Sequence, residues 1–499
     1  MRKLLAIILG AVMMLSLVIV GVSAADPEVI TTAEQFAAMA ADGNYKLGAD
    51  IAVAATYTDT FTGTFDGDGH TITATATLFD TFAGTVKNLK IAGDINVNDG
   101  GVRGAAVART INKATVVFEN IVNDAKVYGG DASGALAGYG AYGANITATK
   151  CINNADISGD NQVGGLFGYV QGSIMLIDSC ENNGKVESTG NYSGGIISRF
   201  GKDAAVDEDV CTIKNCKNTG DVTSAKSQTG GMIGYTVGTI VIEKCSNSGA
   251  ISNPAGSAGG ISGAGSGKDH NGLLIKDCVN TGKITATTYA GGITGKSPSV
   301  AASGTGSYRI ENCKNSGEVI MKGDLSSTGG ASGIIGYLYG GSSENGVIGC
   351  TNTGKVTVED TTTTYKDNIT VTAAGIIAYV NGTKQYIKDN TNTGEIKNIT
   401  VPIAEGATEG GLPASVLLTV ELFYNKNETG ADASFASGNK VKEKDGAVYE
   451  INGTQAASYI FIVETPDTPV VTGDTAVIVM IVCIVSLLGM GIALKARKA

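Results

Sequence analysis

One short signature, repeated through the middle of the chain, limits what it can fold into. An aliphatic residue and two variable positions lead to Cys, followed by Asn at Cys+2, Gly at Cys+4 and Val or Ile at Cys+6. It reads Ile177…Cys180…Asn182…Gly184…Val186, then Ile213…Cys216…Asn218…Gly220…Val222. It returns at Cys245, Cys278, Cys313 and Cys350, more loosely at Cys151, and with Asn390 in the Cys slot. Upstream, Leu89 and Ile121 occupy that slot, and a weaker copy at Asn425-Lys426-Asn427 closes the series. Successive copies lie 29 to 40 residues apart. Between them recurs Gly-Gly-aliphatic-x-Gly, at residues 164–168, 230–234, 259–263 and 291–295.

A period of this length with two or three short apolar runs describes units that cannot bury a face alone and must stack. With 71 Gly, 7 Pro, no Trp and many β-branched residues, those runs are strands joined by tight turns. The expected fold is all-β: a right-handed parallel β-helix in which Ile, Val, Leu and Cys point inward as ladders. Each buried aliphatic side chain contributes roughly 1.5–3 kcal/mol. In Asn-x-Gly the glycine is expected to take φ > 0, with the Asn side chains bonding backbone and one another as a column. The double glycines are expected to make a second corner. Loops 201–210, 264–272, 298–307 and 359–368 are expected on one side.

Before the repeats, Thr31-x-x-Glu34 reads as a capping box opening a helix to about Ala40, which would cover the open end of the coil. Residues 61–72 read as strand, turn and strand. The stretch GGLFGYVQGSIMLIDSCENNGKV (residues 164–186) resembles the GLUG repeat of bacterial surface proteins, and the resemblance runs from about 85 to 400. It implies a cell-surface, adhesin-like protein. Some proteins with such repeats carry a zinc peptidase domain of the IgA-cleaving type. Here the only histidines are His70 and His270, so no His-Glu-x-x-His motif exists.

The chain ends point to export. Arg2 and Lys3, an apolar run to Val20 and small residues to Ala25 have the order of a signal peptide over 1–24. Thr475 to Leu494 is 20 uncharged residues long, enough to span a bilayer, and Lys495, Arg497 and Lys498 follow. The expected organisation is therefore a signal at 1–24, a cap and first coils at 26–84, and repeats at 85–400. A terminal coil at 401–464, a linker at 465–474, a membrane helix at 475–494 and a basic cytoplasmic tail at 495–499 complete it. Within the linker, Pro469…Thr472-Gly473 resembles a sortase signal with one extra residue and no Leu, which makes Thr472 and Gly473 candidates for wall attachment on a Gram-positive cell.

A net charge of −11 without a Lys/Arg block argues against nucleic acid as a partner. The expected partner is an extracellular glycan or a protein of a host or neighbouring cell. No cofactor or metal motif is read: Asp66, Asp68 and His70 suit a turn, since no Glu follows at the twelfth position of a calcium loop. The Cys slot accepts Leu and Ile, so it reads as core, with thiols or neighbouring-coil disulfides both open; Cys211 lies outside it. Tyr139, Tyr169, Tyr235, Tyr337 and Tyr379 follow the Gly-rich element and form either a ligand strip or a stack between coils. The reading is a binding or structural stalk, the alternative a polysaccharide-cutting β-helix enzyme using Asp203, Asp207, Glu208 and Asp209, a cluster otherwise read as a solvated loop. Cells producing the chain should carry a mature form beginning at Ala25 or Asp26, and removing residues 473–499 should release it. N-terminal sequencing that finds Met1 intact on the surface form would contradict both.

Overall fold

The computed structural model describes residues 26–397 except 98–101, 203–208, 266–271, 299–306, 324–327, 340–345, 361–369 and 382–385. Beyond 397 it describes the backbone of five short strands. The coils before residue 85 are shorter and have no strand in the second of the three sheets; one coil of the repeat region shows the plan. It has strands β1 (Ser173–Asp178), β2 (Glu181–Asn182), β3 (Val186–Ser188), β4 (Tyr192–Gly194) and β5 (Ile197–Phe200). β1 to β3 belong to a wide sheet, β4 to a glycine-lined sheet and β5 to a tyrosine-bearing sheet. Each strand pairs in parallel with its copy in the next coil: Ile177 with Ile213, Asn182 with Asn218, Val186 with Val222, Gly194 with Gly230 and Phe200 with Thr236. The fold is a parallel β-helix with a rise of about 4.8 Å per coil.

The Asn column forms as expected. Asn123, Asn153, Asn182, Asn218, Asn247, Asn280, Asn315, Asn352 and Asn392 are all buried. Each of the first eight donates Nδ2 to Oδ1 of the next at 2.7–2.9 Å. Each also bonds the carbonyl two residues on, as Asn182 does with Gly184. Leaving one such buried group unpaired costs roughly 1–3 kcal/mol, so the column holds the coils from Asn123 to Asn392 in register.

The double glycines stand at a second corner as expected, at the bend between β4 and β5, but the glycines of Asn-x-Gly serve a different purpose from the one expected. Those at Cys+4 are not among the positive-φ residues. They are required for space: a Cβ on Gly220 would lie 1.9 Å from the Gly184 carbonyl oxygen. The second glycine of each pair packs on the Asn column, and a Cβ on Gly195 would lie 2.5 Å from the Asn218 side chain. The left-handed corner sits instead one residue before the Cys slot, at Asn88, Asn120, Lys150, Ser179, Asn215, Lys244, Asp277, Asn312, Gly349 and Asp389. Asn and Asp tolerate that conformation best. Where a column of them forms, each amide reaches the neighbouring coil, as Asn215 reaches Asp178 at 2.8 Å.

The N-terminal cover is present, one residue later than expected. Thr32, not Thr31, caps helix α1 (Ala33–Ala37), with Gln35 completing the box; Glu34 falls one position short of the N3 site. The helix ends before Ala40. Phe36 and Met39 are buried, and Phe36 meets Phe65 at 5.6 Å and Phe79 at 5.7 Å, closing the coil with rings. At the other end, Lys440 and Val441 pair with Thr391 and Asn392. The Asn slot of the last coil is therefore Val441, and Asn425 belongs to the tyrosine sheet opposite Val380. The expected closing copy at Asn425 is out of register, because its strand pairs in the tyrosine sheet rather than the wide sheet. Strand Val448–Ile451 then runs antiparallel to Asn439–Lys442.

Three of the variable loops (201–210, 264–272, 298–307) leave from the same corner, between the tyrosine sheet and the next wide-sheet strand. The fourth, 359–368, leaves from another corner, between Val356–Asp360 and Thr370–Ala374. Val222 is fully buried and Lys226 exposed. Val222→Asp should lose about 4 kcal/mol or more in chemical denaturation, since a charge would enter the ladder unpaired. Lys226→Asp should change stability by less than about 0.5 kcal/mol.

Candidate functional site

Tyr139, Tyr169, Tyr235, Tyr337 and Tyr379 lie on one ladder of the tyrosine sheet. Tyr139 pairs with Tyr169, Tyr169 with Arg199, Arg199 with Tyr235, Tyr235 with Ala264, and Lys296 with Tyr337, which pairs with Tyr379. Tyr139, Tyr169 and Tyr235 are part-exposed, while Tyr337 and Tyr379 are 8% and 3% exposed. The ladder thus has a wetter N-terminal half and a covered C-terminal half.

Cations belong to the strip, and the tyrosine pattern alone missed them. Arg103 lies 3.5 Å over the Tyr139 ring, and Arg199 lies 4.7 Å from Tyr169 and 5.6 Å from Tyr235. Lys296 lies 5.2 Å from Tyr339 and 5.6 Å from Tyr337. Such contacts are worth about 0.5–2 kcal/mol each. A second column runs beside the first on the glycine sheet, two residues before each Gly-Gly pair. There Tyr192 stacks on Tyr235 at 4.7 Å, and Tyr289 meets Tyr337 at 4.9 Å, edge to face. Tyr337 and Tyr379 stack at 4.9 Å. Its sequence signal was the residue two before Gly-Gly: Tyr192, Gln228, Ser257 and Tyr289.

The Cys slot is core, but not inert packing. Cys151, Cys180, Cys216, Cys245, Cys278, Cys313 and Cys350 are buried free thiols. Because the left-handed corner interrupts the backbone ladder, the sulfur takes its place. Cys216 Sγ donates to the Ile177 carbonyl of the coil before, Cys245 to Ile213 and Cys278 to Ile242. The Cys216 amide in turn donates to Cys245 Sγ at 3.4 Å. Asn390 does the same work with an amide, donating to Val347 O at 2.8 Å and accepting from Cys350 N at 2.9 Å. Burial raises the thiols of Cys151, Cys216, Cys245 and Cys313 well above their ordinary range. Cys211 is an ordinary ladder residue, fully buried between Met175 and Ile240.

The acidic groups are placed as follows. Burial pushes Asp66 up, but bonds from the Asp68 amide and the Asn88 side chain, with the Lys87 ammonium, outweigh it and leave the carboxyl below its ordinary range. Asp68 pairs with Lys46, and His70 Nδ1 lies 3.2 Å from Asp50. Asp209 is not a solvated loop residue: it is 2% exposed, lying where Gly172 and Gly238 leave room. Asp203, Asp207, Glu208, Thr472, Gly473, the signal segment and residues 475–494 lie outside the described residues. Among the described residues no helix is long and apolar enough to cross a membrane.

No family model and no curated protein matches the chain. Among solved structures it is similar to one described as a putative immunoglobulin A1 protease from Bacteroides ovatus. The two share 20% identity and a TM-score of 0.37, over 46% of this chain and 78% of that one. At that similarity the match bears on neither activity nor substrate.

A thiol reagent should label few of these cysteines in the native protein and most in denaturant without prior reduction, read by mass spectrometry. Cys278→Val should cost about 1 kcal/mol, because the Ile242 carbonyl loses its donor. Disulfides between cysteines several coils apart would refute the stack, since they cannot come within bonding reach.

Proposed function

We propose that this chain is a surface-held β-helix of the GLUG-repeat kind, exported by its N-terminal signal, anchored by residues 475–494, and acting as an adhesin-like binding protein or stalk. The proposal includes a right-handed coil, the hand nearly all parallel crossovers adopt. The observation that carries the binding reading is the strip itself. Part-exposed Tyr139, Tyr169 and Tyr235, interleaved with Arg199 and followed further along by Lys296, run along one face of a rigid scaffold. Aromatic faces and cations suit a glycan or a protein partner, and a rigid sheet presents them without ordering cost.

The fold serves this reading by multiplying one position along an axis, so weak contacts add over several coils. The test is an array of glycans and extracellular proteins probed with cells displaying the full chain. Binding without consumption of ligand is expected, and Tyr169→Ala with Tyr235→Ala should weaken it about 10-fold, or about 1.4 kcal/mol. Breakdown of a polysaccharide that is lost in Asp203→Ala, Asp207→Ala or Glu208→Ala would replace this reading with the enzyme.

A further inference from the structure

The second column, on the glycine sheet, carries rings at only some of its positions, and one gap between them coincides with a cleft. The column's residues run Tyr192, Gln228, Ser257, Tyr289, paired coil to coil. The adjacent column drops to Ala264 between Tyr235 and Lys296. Where rings give way to small side chains, an open cleft of about 300 Å³ remains. Its lining includes Lys226, Gln228, Ser257, Thr288, Tyr289 and Lys296, and among the described residues no carboxylate lines it. Lys226 lies on the chain just before the glycine sheet and Lys296 at the end of a tyrosine-sheet strand, so a cation stands on each rim.

Its polar groups are specific in what they ask for. The Gln228 Oε1 is buried and has no hydrogen-bond partner, so it requires a donor. Ser257 and Thr288 hydroxyls lie 3.0 Å apart and can each give or take a bond. Tyr289 is half-buried and its T-shaped contact with Tyr337 occupies at most one ring face. A ligand that satisfies all of these has a flat C–H face for the ring, hydroxyl donors for Gln228, and a negative charge for the lysines. A phosphate ion or a simple carboxylate supplies the charge but neither the ring face nor the hydroxyl donors. We propose that this cleft is a subsite for a uronate residue of an acidic polysaccharide. Resting on the binding reading above, it names the chemistry of one position along the strip. The carboxylate meets Lys226 or Lys296, the pyranose lies on Tyr289, and a ring hydroxyl donates to Gln228.

The test uses the full chain in detergent micelles and four probes: tetragalacturonate, a hyaluronan tetrasaccharide, an unsulfated chondroitin tetrasaccharide and neutral galactotetraose. Calorimetry should show at least one uronate probe bound at least 10-fold more tightly than galactotetraose, with affinity falling as salt rises. Tyr289→Ala and the pair Lys226→Gln with Lys296→Gln should each weaken that probe 10-fold or more. Ser257→Tyr, which places a ring in the cleft beside Tyr289, should abolish binding while thermal unfolding shows the protein still folded. No binding of any uronate probe, or binding that survives Ser257→Tyr and both lysine changes, overturns the subsite. Uronate binding lost in Tyr169→Ala but kept in Ser257→Tyr would overturn the cleft alone and leave the strip as the binding surface.

Discussion

Everything in this molecule depends on one repeated contact, the amide of a buried asparagine handed to the amide of the next. An unpaired buried amide is costly, and only the coil above can supply the partner, so register is set once per coil and never drifts. The remaining motif follows. Glycine stands at Cys+4 because a Cβ there would strike the carbonyl below, and the second glycine of each pair is bare because the asparagine lies against it. The left-handed residue before the slot turns the chain into the column and frees the backbone groups that the thiol then satisfies.

The core changes character along its length without changing plan. At the N-terminal end it is aromatic, with Phe61 on Phe82 and Phe82 on Phe118 at 6.0 and 5.6 Å. Further on, Ile213, Ile242, Ile275 and Ile310 take over. Large rings close the short first coils under the capping helix, and β-branched residues line the longer coils beyond. Outside, ion pairs such as Lys283 with Glu318 and Lys355 with Glu395 join neighbouring coils, each worth little alone at their exposure.

The architecture was legible in the sequence because the Asn, Gly and Val positions keep fixed offsets while the loops between them vary. What escaped was whatever depends on the coil above or below. Positive φ was expected at glycine, its usual home, yet Asn215 and Lys244 bear it while Gly220 is needed for clearance. Asp209 looked like part of a polar loop, and only the third dimension shows it buried beside two glycines. Cys211 had no place in the repeat frame but falls in register with Met175 and Ile240. The tyrosines were found by their motif, whereas Arg199, Lys296 and the ring column of Tyr192 and Tyr289 were not. A ladder accepts unlike residues at one position, and a motif search looks for like ones.

The asparagine column also has a sense. Each of the eight bonds that join its nine side chains runs from an N–H on the N-terminal side to an oxygen on the C-terminal side, so the amide dipoles they link point the same way. The molecule is therefore a polar rod, and its length is a whole number. Excising the stretch from one asparagine to the next returns every remaining group to an equivalent partner, so such a protein can be lengthened or shortened by copying a unit without redesigning any contact.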